Sequence, residues 1–373
     1  MYLKVKRKDG ESVRNKLISL ELFDGKRKII SCENFLYIPV LEINNELPCE
    51  LSEFETASDE YVKKLAGEVE IYSKHRDRSL LEACRGRIPD EKLNILPTSF
   101  DIIGDIAILE LPDDLKEYEK IIGESLIKTF KNIRVAAKKT STVDTEYRTR
   151  NYRVIAGDPR LKTTHREYGC LYSLDIEKAY FSPRLGNERK RITDLVQSGE
   201  TVLVMFAGVG PYPIQIAKFS KPEKVYAVEL NPDAVEYMRE NIKINGVSVT
   251  VIPFCGSASE TGKLMENFKS NFNNKKIEFD RIIMPLPKDA GSFLDTACAL
   301  LKDGGIIHFY TFAKTTGEAE DYLLGEFETM EQRGKLKENS TIEIIKSVVC
   351  GSYSPSLHRI CVDFVVHKRG LNK

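Results

Sequence analysis

From Ile192 onward, short apolar runs alternate with amphipathic ones. TVLVMFAG is a buried strand entering a glycine turn, and YPIQIAKFS carries apolar residues at helical spacing. KVYAVEL, VTVIPF, FDRIIMPLP and GGIIHFYTF repeat the strand pattern. PDAVEYMRENIKIN and AGSFLDTACALLK read as helices between them. Such alternation predicts a parallel sheet with crossover helices, an α/β domain of Rossmann-like form. The last run, TIEIIKSVVCGSYSPSLHRICVDFVVHK, predicts a terminal hairpin that places antiparallel structure at one edge.

The pattern before Ile192 is different. Residues 1–70 predict a small α+β domain, with strands in LKVKRKDG, RKIIS and FLYIPVLEI and a helix in ESVRNKLISLEL. Residues 71–98 read as a connector, within a charged helical stretch that spans 58–87. Residues 99–191 predict a second α+β domain, in which FDIIGDIAILELP has a glycine between two β-rich runs. There DDLKEYEKIIGESLIKTF is a helix, NIRVAAKK and YRVIAGD are strands, and CLYSLDIEKAYFSP is a strand or hairpin. The last domain then spans 192–373.

Charge separates these regions further. The chain of 373 residues has zero formal net charge, yet Lys128–Arg191 holds 16 Lys/Arg against 7 Asp/Glu. A basic block in a neutral chain fits either a solvated surface or a face that carries nucleic acid. At 42% hydrophobic and 30% charged residues, without low-complexity tracts, the chain is globular. No apolar run approaches the ~18 residues needed to span a membrane, and charges in MYLKVKRKDG exclude a signal-peptide core. Eight cysteines without CxxC spacing fit reduced thiols in a cytoplasm, and five dispersed histidines give no metal signature. Nothing in the sequence implies a protein partner; a monomer is compatible with it, and oligomeric state is not legible in it.

The turn Phe206-Ala207-Gly208-Val209-Gly210 lies between a strand and a helix, where glycines allow a ligand close to the backbone. Glu229 closes the next strand, and an acid at that spacing can hold two ribose hydroxyls. Leu230 and Asn231 follow it, and Asn231-Pro232 supplies an N-cap and a first-turn proline. Pro211 and Pro213 replace the donors and the third glycine that a pyrophosphate loop would need. The site therefore disfavours NAD and suits S-adenosyl-L-methionine, which has no phosphate.

One segment, AYFSPRLGNERKRI, places the single carboxylate of Glu188 among Arg184, Arg189, Lys190 and Arg191. It is either a surface ion pair or a reactive acid set in a polyanion-binding surface. Together with FAGVGPYPIQIA, AVELNPDAVEYMRENIKIN and THREYGC, it makes the chain resemble the archaeal and eukaryotic tRNA (guanine-37-N1)-methyltransferases. That family includes an archaeal branch serving wyosine biosynthesis. The resemblance covers about residue 99 to the end and extends more weakly to the N-terminal domain.

The resemblance implies a cofactor, S-adenosylmethionine, and a partner, tRNA, held at its anticodon loop and elbow. It implies Glu188 as general base and Arg148 as the cation that stabilises charge on guanine O6. Tyr180 falls near the methyl donor, Phe206 to Gly210 at its methionine side, and Glu229 at its ribose. Pro287 matches the proline of the motif after the fourth strand, and Ser257 stands where an acid commonly meets the adenine. Leu230 and Asn231 complete the expected cofactor contacts, while Arg150, Arg184, Arg189, Lys190 and Arg191 are the expected RNA contacts. No metal is expected.

The proposed chemistry is sound, because neutral guanine N1 carries a proton that a placed carboxylate can remove. The developing charge on O6 then needs a guanidinium. The motif Met284-Pro285-Leu286-Pro287 departs from the family pattern, which usually has Asn where Pro285 stands. The rival readings are the wyosine branch, the related aminocarboxypropyl transferase, an RNA-binding protein with a degenerate cofactor site, and an NAD-linked oxidoreductase.

Overall fold

The computed structural model describes residues 1–32, 34–41, 47–66, 79–140, 147–269, 277–336, 340–354 and 356–368. Residues 67–78 of the expected connector therefore lie outside the described residues. The chain forms two compact units, Met1–Ala83 and Cys84–Lys373.

In the first unit, β1 (Tyr2–Lys6), α1 (Gly10–Ser19), β2 (Ile30–Cys32), β3 (Phe35–Pro39), β4 (Glu55–Ala57) and α2 (Asp59–Ala66) follow in order. The strands make one antiparallel sheet in the order β2-β3-β1-β4. Val13 and Leu17, four residues apart on α1, bury against Leu3, Val5 and Ile38 of that sheet.

The second unit begins with the short helices α3 (Leu80–Cys84, whose last residue opens the unit) and α4 (Asp90–Leu93). Next come β5 (Asp101–Ile103), β6 (Ile106–Leu109), α5 (Glu119–Thr129), β7 (Val135–Lys139) and β8 (Tyr152–Gly157), which build a four-stranded sheet. Gly104, at φ 59°, makes the tight turn between β5 and β6. β6 and β7 are parallel, and α5 supplies the crossover that parallel neighbours require. A hairpin follows, β9 (Lys162–Glu167) and β10 (Cys170–Asp175).

After α6 (Gly186–Leu195), the α/β layer runs β11 (Thr201–Met205), α7 (Pro211–Phe219), β12 (Lys224–Glu229), α8 (Pro232–Ile244) and β13 (Val251–Cys255). It continues with α9 (Thr261–Lys269), β14 (Phe279–Met284), α10 (Leu294–Leu300), β15 (Leu301–Ala313), α11 (Thr316–Gln332), β16 (Thr341–Ser354) and β17 (Leu357–His367). The sheet has the order β13-β12-β11-β14-β15-β17-β16. β11 to β15 are parallel, while β17 is antiparallel to β15 and β16 is antiparallel to β17. The Rossmann-like sheet with its terminal hairpin is thus as the sequence predicts. The order of strand addition reverses between β11 and β14, and ligands of such sheets bind outside the carboxyl ends of the strands at that point.

Alternation along β11 feeds both faces: Val202 and Val204 join one apolar cluster, Leu203 and Met205 the other. The first cluster also takes in Ile103, Ile106, Val135, Tyr172, Ile192 and Tyr310. The domain boundary expected between residues 191 and 192 therefore falls inside α6 and inside one continuous core. Side-chain amides reinforce that join. Asn241 and Asn245 of α8 bond the backbone of Ser173 and Leu171 on β10, four residues of helix matching two of strand. Among the described residues, no helix is long and apolar enough to cross a membrane.

Candidate active site

The glycine turn after β11 is tight. Ala207 donates to Val228 of β12, and Gly210 donates back to Ala207. Phe206, Gly208 and Gly210 have φ of 56°, 56° and 91°. At Gly210 an added Cβ would also lie 2.9 Å from Met238 Cγ, so packing and backbone both demand glycine. Gly210 precedes Pro211, the first residue of α7, and both prolines sit in the first turn, where N–H groups have no helical partner. They preserve the helix while removing donors, which suits a ligand without phosphate. Val209 is buried and anchors the turn through its carbonyl to Asn241.

Glu229 ends β12 beside this turn. Its Oε2 accepts from Gly208 N–H at 2.8 Å and its Oε1 from Asn231 N–H at 2.9 Å. Burial raises its pKa, and the backbone N–H groups of Asn231, Gly208 and Leu230 oppose that shift. A carboxylate has about four acceptor positions, so two vicinal hydroxyls of a ribose can be received here. The donors and glycines present fit an adenosine-containing, phosphate-free cofactor.

Asn231 itself is a correction to the expected contacts. Its side chain is buried, with Oδ1 capping Asp233 N–H and Nδ2 donating to Lys178 carbonyl. Its amide holds the segment at Lys178 and the first turn of α8, and its backbone N–H holds Glu229, so the amide is not free for a ligand. Ser257 Oγ caps the turn at Ser259, at 3.3 Å from its N–H. Tyr180 is 41% exposed, and its carbonyl lies 3.7 Å from the Cβ position of Gly208. Pro287 is buried just beyond β14.

Glu188 lies in the first turn of α6 and is 5% exposed. Arg191, one turn later, donates to both of its oxygens at 2.8 and 2.7 Å. Tyr310 of β15 donates its hydroxyl to Oε1 at 2.5 Å. Tyr212, in the first turn of α7, donates in turn to Tyr310 at 3.2 Å. The carboxylate is thereby tied to the helix that follows the cofactor turn. Two donors on Oε1 and one on Oε2 leave an acceptor position on Oε2.

Helical rotation explains why the neighbouring cations part company. Arg191 continues from Glu188 to Asp363 on β17, at 2.6 Å. Asp363 accepts from His308 Nδ1 at 2.6 Å, and His308 Nε2 meets Arg281 at 2.8 Å. Arginine only donates, so Nε2 is the acceptor and Nδ1 carries the proton. Burial opposes ionisation of Asp363, but His308 and then Arg191 outweigh it and hold its pKa well below the usual carboxylate range. His308, Cys361 and Asp363 bring ligand-type atoms within 4.8 Å of one another, but Arg281 meets the free lone pair of His308, Arg191 donates to Asp363, and the Cys361 thiol also donates to Asp363.

Arg189 points elsewhere. It is 2% exposed, clamps Glu167 at 2.8 and 2.5 Å, donates to Ser182 carbonyl at 3.0 Å, and lies over the Phe181 ring. The expectation that Arg189 and Arg191 contact RNA is corrected: both guanidiniums are used inside the protein. Lys190 pairs with Asp194 at the surface and exposed Arg184 pairs with Asp101 at 2.7 Å, while Arg150 is half-buried. Arg148 has φ 57° and, among the described residues, no hydrogen bond or ion pair. Burial lowers its pKa, with Tyr180 opposing and Arg359 reinforcing that shift. It remains a cation with its donors available.

Three family models match the chain: the Trm5 N-terminal domain over residues 3–48, the TYW2 N-terminal domain over 80–160, and the TRM5/TYW2 methyltransferase domain over 163–329. The tRNA (guanine(37)-N(1))-methyltransferase Trm5b of Pyrococcus abyssi is 39% identical over 98% of this chain and 99% of its own. This chain belongs to the TRM5/TYW2 methyltransferase family. A solved complex of aTrm5 with tRNALeu matches with a TM-score of 0.76 at 30% identity, over 98% of this chain and 99% of that one. The bifunctional tRNA (guanine(37)-N(1))/4-demethylwyosine(37)-methyltransferase Taw22 of Nanoarchaeum equitans is 36% identical over 58% of this chain and 84% of its own.

The candidates read from the sequence include Glu188, Arg148 and the Phe206–Gly210 turn but not Tyr310, His308 or Asp363, which the structure joins to Glu188 directly or through Arg191. A signal existed. His308 and Tyr310 stand two apart in a strand, as do Cys361 and Asp363, and the register sets His308 opposite Asp363. Polar residues on one face of otherwise apolar buried strands are unusual and ask for a partner.

Proposed function

We propose that this protein methylates N1 of guanosine 37 in tRNA, with Glu188 as general base and Arg148 as the cation for O6. It is an S-adenosylmethionine-dependent tRNA methyltransferase, as its family membership implies. The observation that carries the residue roles is the chain of hydroxyls from Glu188 through Tyr310 to Tyr212 beside the cofactor turn.

When bound, S-adenosylmethionine supplies a methyl group activated on a sulfonium. The residues do the rest. Glu188, through the acceptor position on Oε2, takes the N1 proton as the new N1–C bond forms, and becomes a neutral acid. Arg191 and Tyr310 hold the carboxylate in place beforehand, which limits its rotation. Arg148 donates to O6, where negative charge gathers as the proton leaves. Glu229 anchors the ribose of the cofactor, and Tyr180 offers an exposed ring to a base drawn out of the anticodon loop. Arg150, Arg184 and Lys190 supply phosphate contacts, and the N-terminal unit meets the tRNA elbow.

A second reading, methylation of a 4-demethylwyosine precursor, draws support from Pro285, which removes the amide usual in this family, and from likeness to Taw22. Mass analysis of nucleosides from tRNA treated with the enzyme and labelled cofactor separates the two. 1-Methylguanosine at position 37 is the expected product, and label appearing only on a tricyclic base would overturn it.

A further inference from the structure

At the C-terminal end of β15, Phe312 stands opposite Arg359 of β17. The Arg359 guanidinium lies 5.6 Å from the centroid of the Phe312 ring. Tyr353 of β16 packs on that ring at 4.6 Å between centroids, yet remains 67% exposed. Arg359 Nε is buried without a hydrogen-bond partner, and among the described residues no acid pairs with the guanidinium. Arg359 and Tyr353 of this corner both act electrostatically on Arg148, as does Asp289, which joins the corner to the candidate cation.

The charge of Arg359 works against that of Arg148, and the buried Nε donor of Arg359, left unmade, is costly. An anion relieves both. Cation and exposed aromatic together are the combination that binds unpaired nucleic-acid strands, the charge tracking phosphate and the ring stacking a base. The position, at the ligand-binding edge of the parallel sheet, puts this corner next to the reacting nucleotide.

We propose that Arg359 and Tyr353 form a nucleotide-binding step in the anticodon-loop site, with Arg359 on a phosphodiester near nucleotide 37 and Tyr353 stacked on an unpaired neighbouring base. This rests on the tRNA-methyltransferase reading. One other anion has shared chemistry, the carboxylate on the methionine part of the cofactor, and the test separates it.

Binding of a tRNA transcript is measured across a KCl series for the wild type, Arg359→Gln, Arg359→Lys and Tyr353→Ala, alongside calorimetry with S-adenosylhomocysteine. Arg359→Gln is expected to weaken tRNA binding about tenfold and to make the log–log salt slope shallower by about one. Arg359→Lys keeps the slope. Tyr353→Ala weakens binding between about fivefold and a hundredfold at unchanged slope. Affinity for S-adenosylhomocysteine stays at the wild-type value throughout. Should Arg359→Gln fail to fold, wild-type protein is titrated with stem-loops carrying neutral methylphosphonates around nucleotide 37, one of which is expected to cost about tenfold.

Unchanged tRNA affinity and slope in Arg359→Gln, or no sensitive phosphate, overturns the proposal. Loss of S-adenosylhomocysteine affinity also overturns it, by giving Arg359 to the cofactor carboxylate. Failure of the wild type to form 1-methylguanosine would instead overturn the functional reading, leaving the binding series to decide this site by itself.

Discussion

Arg191 holds Glu188 by both carboxylate oxygens, at 2.8 and 2.7 Å, and turns its remaining N–H groups to Asp363. The Glu188 carboxylate is thus neither loose nor alone. It sits at the end of a buried series of alternating charges, and its pairing is set by the spacing of one helical turn. Arg191 fixes the position of the carboxylate, while Asp363 shares its guanidinium.

Replacing Glu188 with Gln removes the proton acceptor but retains the shape. Methyl transfer to guanosine 37, followed in single turnovers, should fall by roughly 10²–10⁴-fold. S-adenosylhomocysteine should bind as before. Turnover equal to wild type would refute the base assignment.

Tyr310→Phe deletes one hydroxyl that donates to Glu188 at 2.5 Å. A hydrogen bond to a charged group of this kind corresponds to roughly a tenfold effect or more. The expected loss is in kcat, with KM for tRNA near the wild-type value. A change confined to KM would mean that Tyr310 does not position the base.

Arg189→Ala tests the correction made to the RNA contacts. It strands Glu167, so unfolding in urea should show a loss of about 3–5 kcal/mol. The salt slope of tRNA binding should match wild type for protein that remains folded. A shallower slope with normal stability would return Arg189 to the RNA surface.

Cofactor affinity should depend on pH through Glu229. Burial raises the pKa of this acid, and a ribose diol donates best to its ionised form. Affinity for S-adenosylhomocysteine should therefore weaken as pH falls, beginning above the range where an ordinary glutamate titrates. Glu229→Gln should bind weakly with that pH dependence flattened, as read by calorimetry.

Stability should also fall in acid, in two stages. Burial lowers the pKa of His308, with Asp363 opposing and Arg281 and Arg191 reinforcing that shift. The unfolded chain then takes the proton first, so stability declines below about pH 6.5. The folded-state pKa of Asp363 is depressed, so its contribution is present above about pH 3.9 and is lost as pH falls further. Urea titrations at several pH values check both. In His308→Gln the first decline should shrink to what His165, also lowered by burial, contributes.

The sequence by itself determined the α/β layer, the terminal hairpin, the turn from Phe206 to Gly210 and the acid of Glu229, because each depends on local periodicity or on neighbours within one βαβ unit. It also determined which family the residues around Glu188 resemble. The tertiary structure decided what Glu188 touches. Tyr310 and Asp363 lie 122 residues from Glu188 and 172 from Arg191 respectively, so no local pattern links them. Rotation of about 100° per residue on α6 sends Arg189 into Glu167 and Arg191 toward Asp363, although the two cations look alike in sequence. Strand register alone sets Arg359 over Phe312, and burial alone separates a cation held inside the fold from one left at its surface.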